Sequence, residues 1–177
     1  RKVYRMKYIA YFASDRRNAI GFNNELPWPS ISSDLQQFKK FTTNNGVIMG
    51  RKTWLGPKFP RPLRNRTNII LSNQKLDIDY SYEDSPTLVM NGLVDDIKKQ
   101  LQTMDVENWY VIGGAAVLSE WIEHCDEVIH TEIDCSWPAD CFFDNQWQKS
   151  FELINAWRVI DPSTQIRLNT NLWKRNI

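Results

Sequence analysis

Trp109-Tyr110-Val111-Ile112-Gly113-Gly114-Ala115-Ala116 is the stretch that decides the fold. A short apolar run stops at a glycine pair, and Val117, Leu118, Trp121 and Ile122 follow at helical spacing. A strand handing directly to a helix is the building unit of a parallel sheet, whose strands are covered on both faces. The same handover occurs upstream, where Val47-Ile48-Met49-Gly50 runs into Arg51-Lys52-Thr53-Trp54. Working outward, Lys7 to Ala13 reads as a buried first strand, and Thr67 to Ser72 and Thr87 to Met90 as further short strands. Val94, Ile97, Leu101 and Met104 mark one helix face, Trp109 to Ile112 a strand, and Asp126 to Asp134 another. Leu35, Phe38 and Phe41 predict an earlier helix, with Ser32 or Ser33 as its N-cap.

Towards the end the chain changes character. Phe151 to Asp161 and Gln165 to Lys174 alternate around the turn-rich Asp161-Pro162-Ser163-Thr164, which predicts an antiparallel pair. The expected fold class is therefore α/β: a single domain with a mostly parallel central sheet, flanked by helices and carrying an antiparallel C-terminal hairpin.

Composition fits that reading. A chain of 177 residues, 42% hydrophobic and 24% charged, suits one ordinary globular domain with a proper core. Its 22 basic and 21 acidic residues leave a net charge of +1, so no electrostatic footprint for nucleic acid or a membrane surface exists. No apolar run reaches the length of a spanning helix or a signal segment. Cys125, Cys135 and Cys141, with only His124 and His130 beside them, do not make a zinc pattern. No metal site is expected, and free thiols suit a reducing cytoplasm. Residues 1–6 read as an N-terminal extension, native or artificial, before a domain spanning 7–177, with Met6 a candidate initiator.

Four groups carry chemistry. Gly113 and Gly114 let a ligand approach the backbone, and the helix that follows offers N–H partners to a pyrophosphate. The G-x-G-x-x-G spacing is absent, so Asp134, 20 residues beyond Gly114, is not read as a ribose-binding acid. Gly50-Arg51-Lys52-Thr53 places two cations and a hydroxyl at a helix start, and Ser72-Asn73 adds neutral donors with Lys75 nearby. Asp34 sets a carboxylate at the mouth of a helix with an apolar face, a costly place unless something binds it. Arg66 precedes a strand and can hold a carboxylate in a bidentate pair. Each has an unliganded counterpart: a tight turn, a solvated charge pair, a carboxylate favoured by the helix macrodipole, a surface arginine.

Taken together, Leu26-Pro27-Trp28, Asp34, Val47 to Trp54, Arg61-Pro62-Leu63, Arg66 to Ser72, Trp109 to Gly114 and His130-Thr131-Glu132-Ile133-Asp134 have the wording and order of one family. The chain resembles dihydrofolate reductase from Lys7 to about Lys174. The resemblance implies NADPH-dependent reduction of dihydrofolate to tetrahydrofolate, a step of one-carbon metabolism. It implies that Asp34 clamps two N–H donors of the pterin, with Thr131 as its hydroxyl partner. Ile9, Ala10, Leu35, Phe38, Leu63 and Ile112 would wall the substrate, and Arg66 would hold its glutamate α-carboxylate.

On the cofactor side the resemblance implies that Arg51, Lys52, Ser72 and Asn73 surround a 2′-phosphate. Gly50, Thr53, Gly113 and Gly114 would take the pyrophosphate, with Ala10, Ile20, Gly21, Leu71, Ile112, Ala115, Ala116 and Val117 completing the set. Ile20 to Trp28 would form a loop closing over the nicotinamide, Leu26 packing at the ring junction and Trp28 holding water near Asp34. Partners would be dihydrofolate and antifolate-like small molecules, and a monomer is expected. The sequence departs from the family at several points. Ala116 stands where many bacterial members have arginine, Leu118 where a tyrosine is usual, and Tyr11 where a small residue is usual. Arg64-Asn65 replaces a frequent Pro-Gly before Arg66, and Arg16 to Ala19 lengthen the first loop. Two alternatives stand beside this reading: a pyrimidine reductase of riboflavin synthesis, and a folate-binding or assembly component with weak or lost catalysis.

Overall fold

In β1 (Lys7–Ser14) every residue except Lys7 and Ala13 is buried, because this strand lies inside the sheet with neighbours on both sides. The computed structural model describes residues 6–78 and 82–177. Of the expected extension only Met6 falls within them, packed against the core; residues 1–5 lie outside. The main sheet adds β3 (Gly46–Gly50), β4 (Thr67–Leu71), β5 (Thr87–Met90), β6 (Asn108–Val111), β7 (Glu127–Ile133), β9 (Phe151–Ile160) and β10 (Arg167–Arg175). Its order is β5-β4-β3-β6-β1-β7-β10-β9. Strands β1, β3, β4, β5, β6 and β7 pair in parallel, whereas β10 runs antiparallel to both β7 and β9. This is the expected architecture: parallel within, antiparallel at the C-terminal edge.

Alternation along the strands divides the core between two faces. On one, Ile9, Tyr11, Val47, Met49, Ile70, Tyr110 and Ile129 pack with Trp54, Leu63, Phe38 and Phe41. These last two come from α1 (Ser32–Thr42), and Trp54 from the short α2 (Arg51–Trp54). The other face packs Ala10, Ile48, Ile69, Val111 and Val128 against α3 (Val94–Leu101) and α4 (Ala115–Trp121). Met104 lies beyond α3, in the turn that follows, yet still packs against that core.

Two local expectations are corrected. The N-cap of α1 is Ile31, which has no side chain to cap with; Asp161 instead accepts the Ser33 N–H at 2.9 Å. A carboxylate from the hairpin turn thus does the work expected of Ser32 or Ser33. Leu35 is 51% exposed, overhanging the first helical turn, while Phe38 and Phe41 carry the inward contacts. A second, two-stranded sheet was not signalled by composition: β2 (Ala19–Gly21) pairs with β8 (Cys141–Phe142). These segments are too short for alternation to show.

Candidate functional site

The site is built where the parallel strands end and α1 crosses one face of the sheet. Asp34 lies in the first turn of α1, one turn before Phe38, so both occupy the same helix face. Phe38 packs with Ile9, Leu63 and Ile112, which brings four expected wall residues together. Ala10 does not join them. It follows Ile9 on β1, so its side chain faces the opposite layer, and only its backbone can serve this side. The Asp34 Oδ1 is buried without a hydrogen-bond partner. Burial raises the Asp34 pKa to about 6, because a low-dielectric wall penalises the charged form. A carboxylate in that state gains most from a ligand presenting paired N–H donors.

Thr131 is buried on β7, but its hydroxyl bonds Thr170 Oγ1 at 2.9 Å and accepts from Gln37 Nε2 at 3.3 Å. Neither bond goes to Asp34. Gln37, three residues beyond Asp34 on α1, puts its amide at that spot instead, and also reaches the Tyr11 hydroxyl and Thr170. Nothing in the sequence distinguishes Gln37 from an ordinary helix residue except its spacing from Asp34.

Arg66 is buried against the C-terminal end of α1. Its guanidinium donates to the Arg64 carbonyl at 2.9 Å and to Thr42 Oγ1 at 3.0 Å, and stands 5.8 Å from the Phe38 ring. Burial lowers its pKa, a sign that the charge is partly desolvated while its fixed bonds reach only neutral oxygens. The loop leading to it is clipped to β4 by Asn68, fully buried. That amide accepts the Leu63 N–H at 3.0 Å and donates to the Leu63 and Arg66 carbonyls, each at 2.9 Å. The Arg64-Asn65 departure is absorbed here: Asn65 takes a φ of 62° and its N–H donates to Ser85.

On the other side, the ends of β3 and β6 lie backbone to backbone, with the Gly50 N–H donating to the Gly113 carbonyl at 2.9 Å. A Cβ on Gly50 would press on the Val117 side chain at 3.0 Å while meeting the Gly113 carbonyl at an ordinary 3.8 Å, so a larger residue here would crowd Val117. Gly113 has a φ of 121°, which L residues rarely adopt, and the Gly113–Gly114 peptide bond is cis. Thr53 Oγ1 lies 3.9 Å from the Cβ position of Gly114, placing the hydroxyl beside the glycine pair. Arg51 Nε is buried with no partner. Backbone laid bare at the glycines, an adjacent hydroxyl and an unpaired guanidinium nitrogen fit a pyrophosphate-bearing cofactor. Lys52, next to Arg51, and Asn73, just beyond β4, are exposed. Ser72 is not free as expected: its hydroxyl donates to the Gln74 carbonyl at 2.8 Å and accepts the Gln74 N–H at 3.0 Å, closing a local turn. Ala10, Ile20, Leu71 and Val117 lie in the layer served by α4, whereas Ile112 packs in the Asp34 layer. Ala115 and Ala116 open α4, and Leu118 is buried within its core rather than facing a ligand through a polar group.

The Ile20–Trp28 segment is shaped by its own backbone. Phe22 and Glu25 exchange both backbone hydrogen bonds, at 2.8 and 3.0 Å, with Asn23 and Asn24 both left-handed, a tight hairpin turn. Asp140 holds it, accepting the Asn23 N–H and donating its own N–H to the Gly21 carbonyl. At the loop's base, buried Asp15 accepts the Arg17 and Ala19 N–H groups and pairs with the Arg17 guanidinium. Leu26 is 52% exposed at the rim, and Trp28 is buried with Ile31, Ile133 and Leu168, its indole N–H unpartnered.

Comparison with known proteins sets this site in context. Residues 7–175 match the family model for dihydrofolate reductase. The chain is 34% identical to the dihydrofolate reductase of Heliothis virescens over 152 residues, covering 79% of this chain and 80% of that protein. It is 30% identical to that of Bacillus subtilis over 148 residues, covering 82% and 80%. Among solved structures, dihydrofolate reductase from Enterococcus faecalis, complexed with NADP(H) and RAB-propyl, superposes with a TM-score of 0.80 at 31% identity, covering 97% of each chain.

Proposed function

Because the chain belongs to the dihydrofolate reductase family, we propose that Asp34 is the acid that holds and polarises the pterin and that Gly50 to Thr53 with Gly113 and Gly114 hold the cofactor. The enzyme reduces dihydrofolate to tetrahydrofolate and its cofactor is NADPH. When bound, NADPH supplies the hydride that ends on pterin C6, while N5 gains a proton. The unpartnered Asp34 Oδ1 on an apolar wall carries the assignment. In its charged form the carboxylate accepts from the ring amide and the 2-amino group together, a match that no neutral side chain reproduces. That charge also stabilises the protonated ring, the species that accepts hydride readily.

The edge bearing those two N–H groups is remote from N5, so Asp34 does not deliver the N5 proton itself. Water admitted past Leu26 and Trp28 does, and the unpartnered Trp28 indole N–H supports a water position there. Ile9, Phe38, Leu63 and Ile112 hold the flat ring, with Leu35 at the rim, and Arg66 receives the glutamate α-carboxylate. Arg51 and Lys52, with Asn73, confer the preference for the 2′-phosphate. Antifolate-like molecules occupy the same cleft. The near-balanced charge supports small-molecule ligands rather than nucleic-acid or membrane partners, and a cytoplasmic monomer completes the proposal. No helix among the described residues is long and apolar enough to cross a membrane.

Following NADPH absorbance with dihydrofolate, and NADH in parallel, tests the assignment. Oxidation should require dihydrofolate and prefer NADPH, and Asp34→Asn should lose about 100-fold or more in turnover at neutral pH with the fold intact. An Asp34→Asn protein of undiminished turnover would remove Asp34 from this role. Tight binding of both ligands without turnover would favour a folate-binding component.

A further inference from the structure

We propose that Asp161 is a positioning residue: it caps the first turn of α1 from the β9–β10 turn, and so leaves Asp34 free of its own helix and turned to the cleft. The proposal deepens the reading of Asp34 given above and rests on it. Asp34 is the third residue of α1, after Ser32 and Ser33. The open N–H groups of a helix start attract carboxylates, and one at the third position commonly folds back on them. An acid so engaged is withdrawn from the cleft and keeps fewer lone pairs for a ligand. Asp34 is not engaged in this way: its Oδ1 is buried without a partner, and burial alone raises its pKa. The place is already taken. Asp161 Oδ1 accepts the Ser33 N–H at 2.9 Å, and the Asp34 and Leu35 N–H groups both go to the Ile31 carbonyl at 3.1 Å.

Asp161 is held firmly in that place. It is fully buried, and its other oxygen, Oδ2, accepts the Thr164 N–H at 2.9 Å and the Ser163 and Thr164 hydroxyls at 3.0 and 2.8 Å. The Ser33 N–H first, and the Thr164 hydroxyl after it, hold its pKa well below the usual carboxylate range, so it remains a charged acceptor while Asp34 titrates. Its backbone closes the turn: its N–H donates to the Ile166 carbonyl at 2.9 Å, and its carbonyl accepts the Gln165 N–H at 2.8 Å. Packing seats this turn on the helix start, where Ile31 meets Trp28, Ile133 and Leu168, with Ile166 and Trp137 against them. Neighbouring charges are engaged elsewhere or turned outward. Glu132 and Asp134, at the end of β7, pair with Arg16, and Asp15 pairs with Arg17. Arg66 is fixed by Thr42 at the far end of α1, Lys39 and Lys40 are exposed, and burial first keeps Tyr11 on β1 protonated through the neutral range. The hairpin turn thus decides, through one oxygen, which way the proposed substrate-binding acid faces.

The test is carboxyl carbon NMR of the ligand-free protein through the Asp34 titration, with the hydrogen-bond coupling of the Ser33 amide nitrogen as a second reading. In the wild type Asp34 should titrate near pH 6, and the Ser33 amide should couple to the Asp161 carboxyl carbon. Coupling to the Asp34 carboxyl carbon instead would overturn the proposal at once. Asp161→Ala vacates the cap: Asp34 should fold back, the coupling should pass to its carboxyl carbon, and its midpoint should fall by about one pH unit or more. Asp161→Asn keeps an oxygen for the Ser33 N–H and should hold the midpoint near the wild-type value. A general loosening of the helix start would lower the midpoint by admitting water, without passing the coupling to Asp34. An Asp161→Ala protein with an unmoved midpoint, or with no coupling to Asp34, therefore overturns the proposal, as does an Asp161→Asn protein that titrates like Asp161→Ala. Should the alanine variant not fold, Asp161→Ser replaces it. Its hydroxyl can serve the Thr164 N–H within the turn but cannot also reach Ser33, and the same two changes are expected. None of these readings involves turnover, so an active Asp34→Asn enzyme would sink the role of Asp34 without touching them.

Discussion

Asp34 and His130 sit on opposite faces of the sheet, and burial moves them in opposite directions. Asp34 is raised from 3.8 to about 6 and His130 lowered from 6.5 to about 4, both by desolvation, with His130 Nε2 held 2.6 Å from Ser14 Oγ. Between about pH 4 and 6 the native state keeps a proton on Asp34 that the unfolded state releases, so that group makes stability fall as pH rises. Over the same window the unfolded state binds a proton at His130 that the native state refuses, so stability rises with pH. The two slopes oppose each other. Asp34→Asn should therefore do two things in urea titrations. It should stabilise the protein at neutral pH by about 1–3 kcal/mol, and it should unmask an upward slope approaching 1.4 kcal/mol per pH unit below pH 6. A variant as flat as the wild type would show that Asp34 is not desolvated. At this scale the sequence was partly legible. A lone carboxylate on an apolar helix face announces itself through the cost of burying it. Gln37 does not, because an amide reveals nothing until the strand register brings Trp157 and Thr170 to its two ends. Ala10 shows a different limit: beside Ile9 on β1 its side chain turns to the other layer, which leaves only its backbone for this side.

Among the elements, the loop before β4 shows most clearly how Arg66, the proposed anchor for the glutamate carboxylate, is held. Asn68 makes three hydrogen bonds to its backbone, so Arg66 is positioned by a side chain two residues downstream. Asn68→Ala should cost about 2–4 kcal/mol, since buried backbone groups lose their partners. Where the protein still folds, the proposed role of Arg66 at the glutamate tail predicts that KM for dihydrofolate should rise more than kcat falls. Steady-state kinetics at a temperature well below the shifted Tm would check this; equal losses in both would place the loop in the chemistry. The apolar runs of β3 and β4 and the glycine stops were readable because inner parallel strands bury both faces and leave an unbroken apolar signal, whereas β5, on the sheet edge, exposes Leu88 and Val89. The cap of α1 was not. Its donor is met by Asp161, 128 residues away, and no local serine rule can anticipate a tertiary cap.

For the whole molecule, the two-layer core lets one sheet carry both proposed ligand sites. The layer under α1 carries Asp34 and the proposed substrate wall, the layer under α4 carries Leu71 and Val117, and the strand ends at Gly50 and Gly113 join them. This division was implicit in the alternation of each strand but needed the strand order to become visible. That order has a consequence for synthesis. β1 leaves the ribosome before every other strand, yet its partners are β6 and β7: Lys7 lies opposite Asn108, and Ile9 opposite Glu127. The middle of the sheet is therefore complete only when most of the polypeptide has been made, and until then the apolar β1 has nothing to pair with. Nascent chains arrested with β7 still inside the exit tunnel should be cut readily by a protease, and those with β10 fully emerged should resist it. The early emergence of such a strand makes it a natural client for a chaperone at the tunnel mouth, held for as long as translation takes to deliver its neighbours.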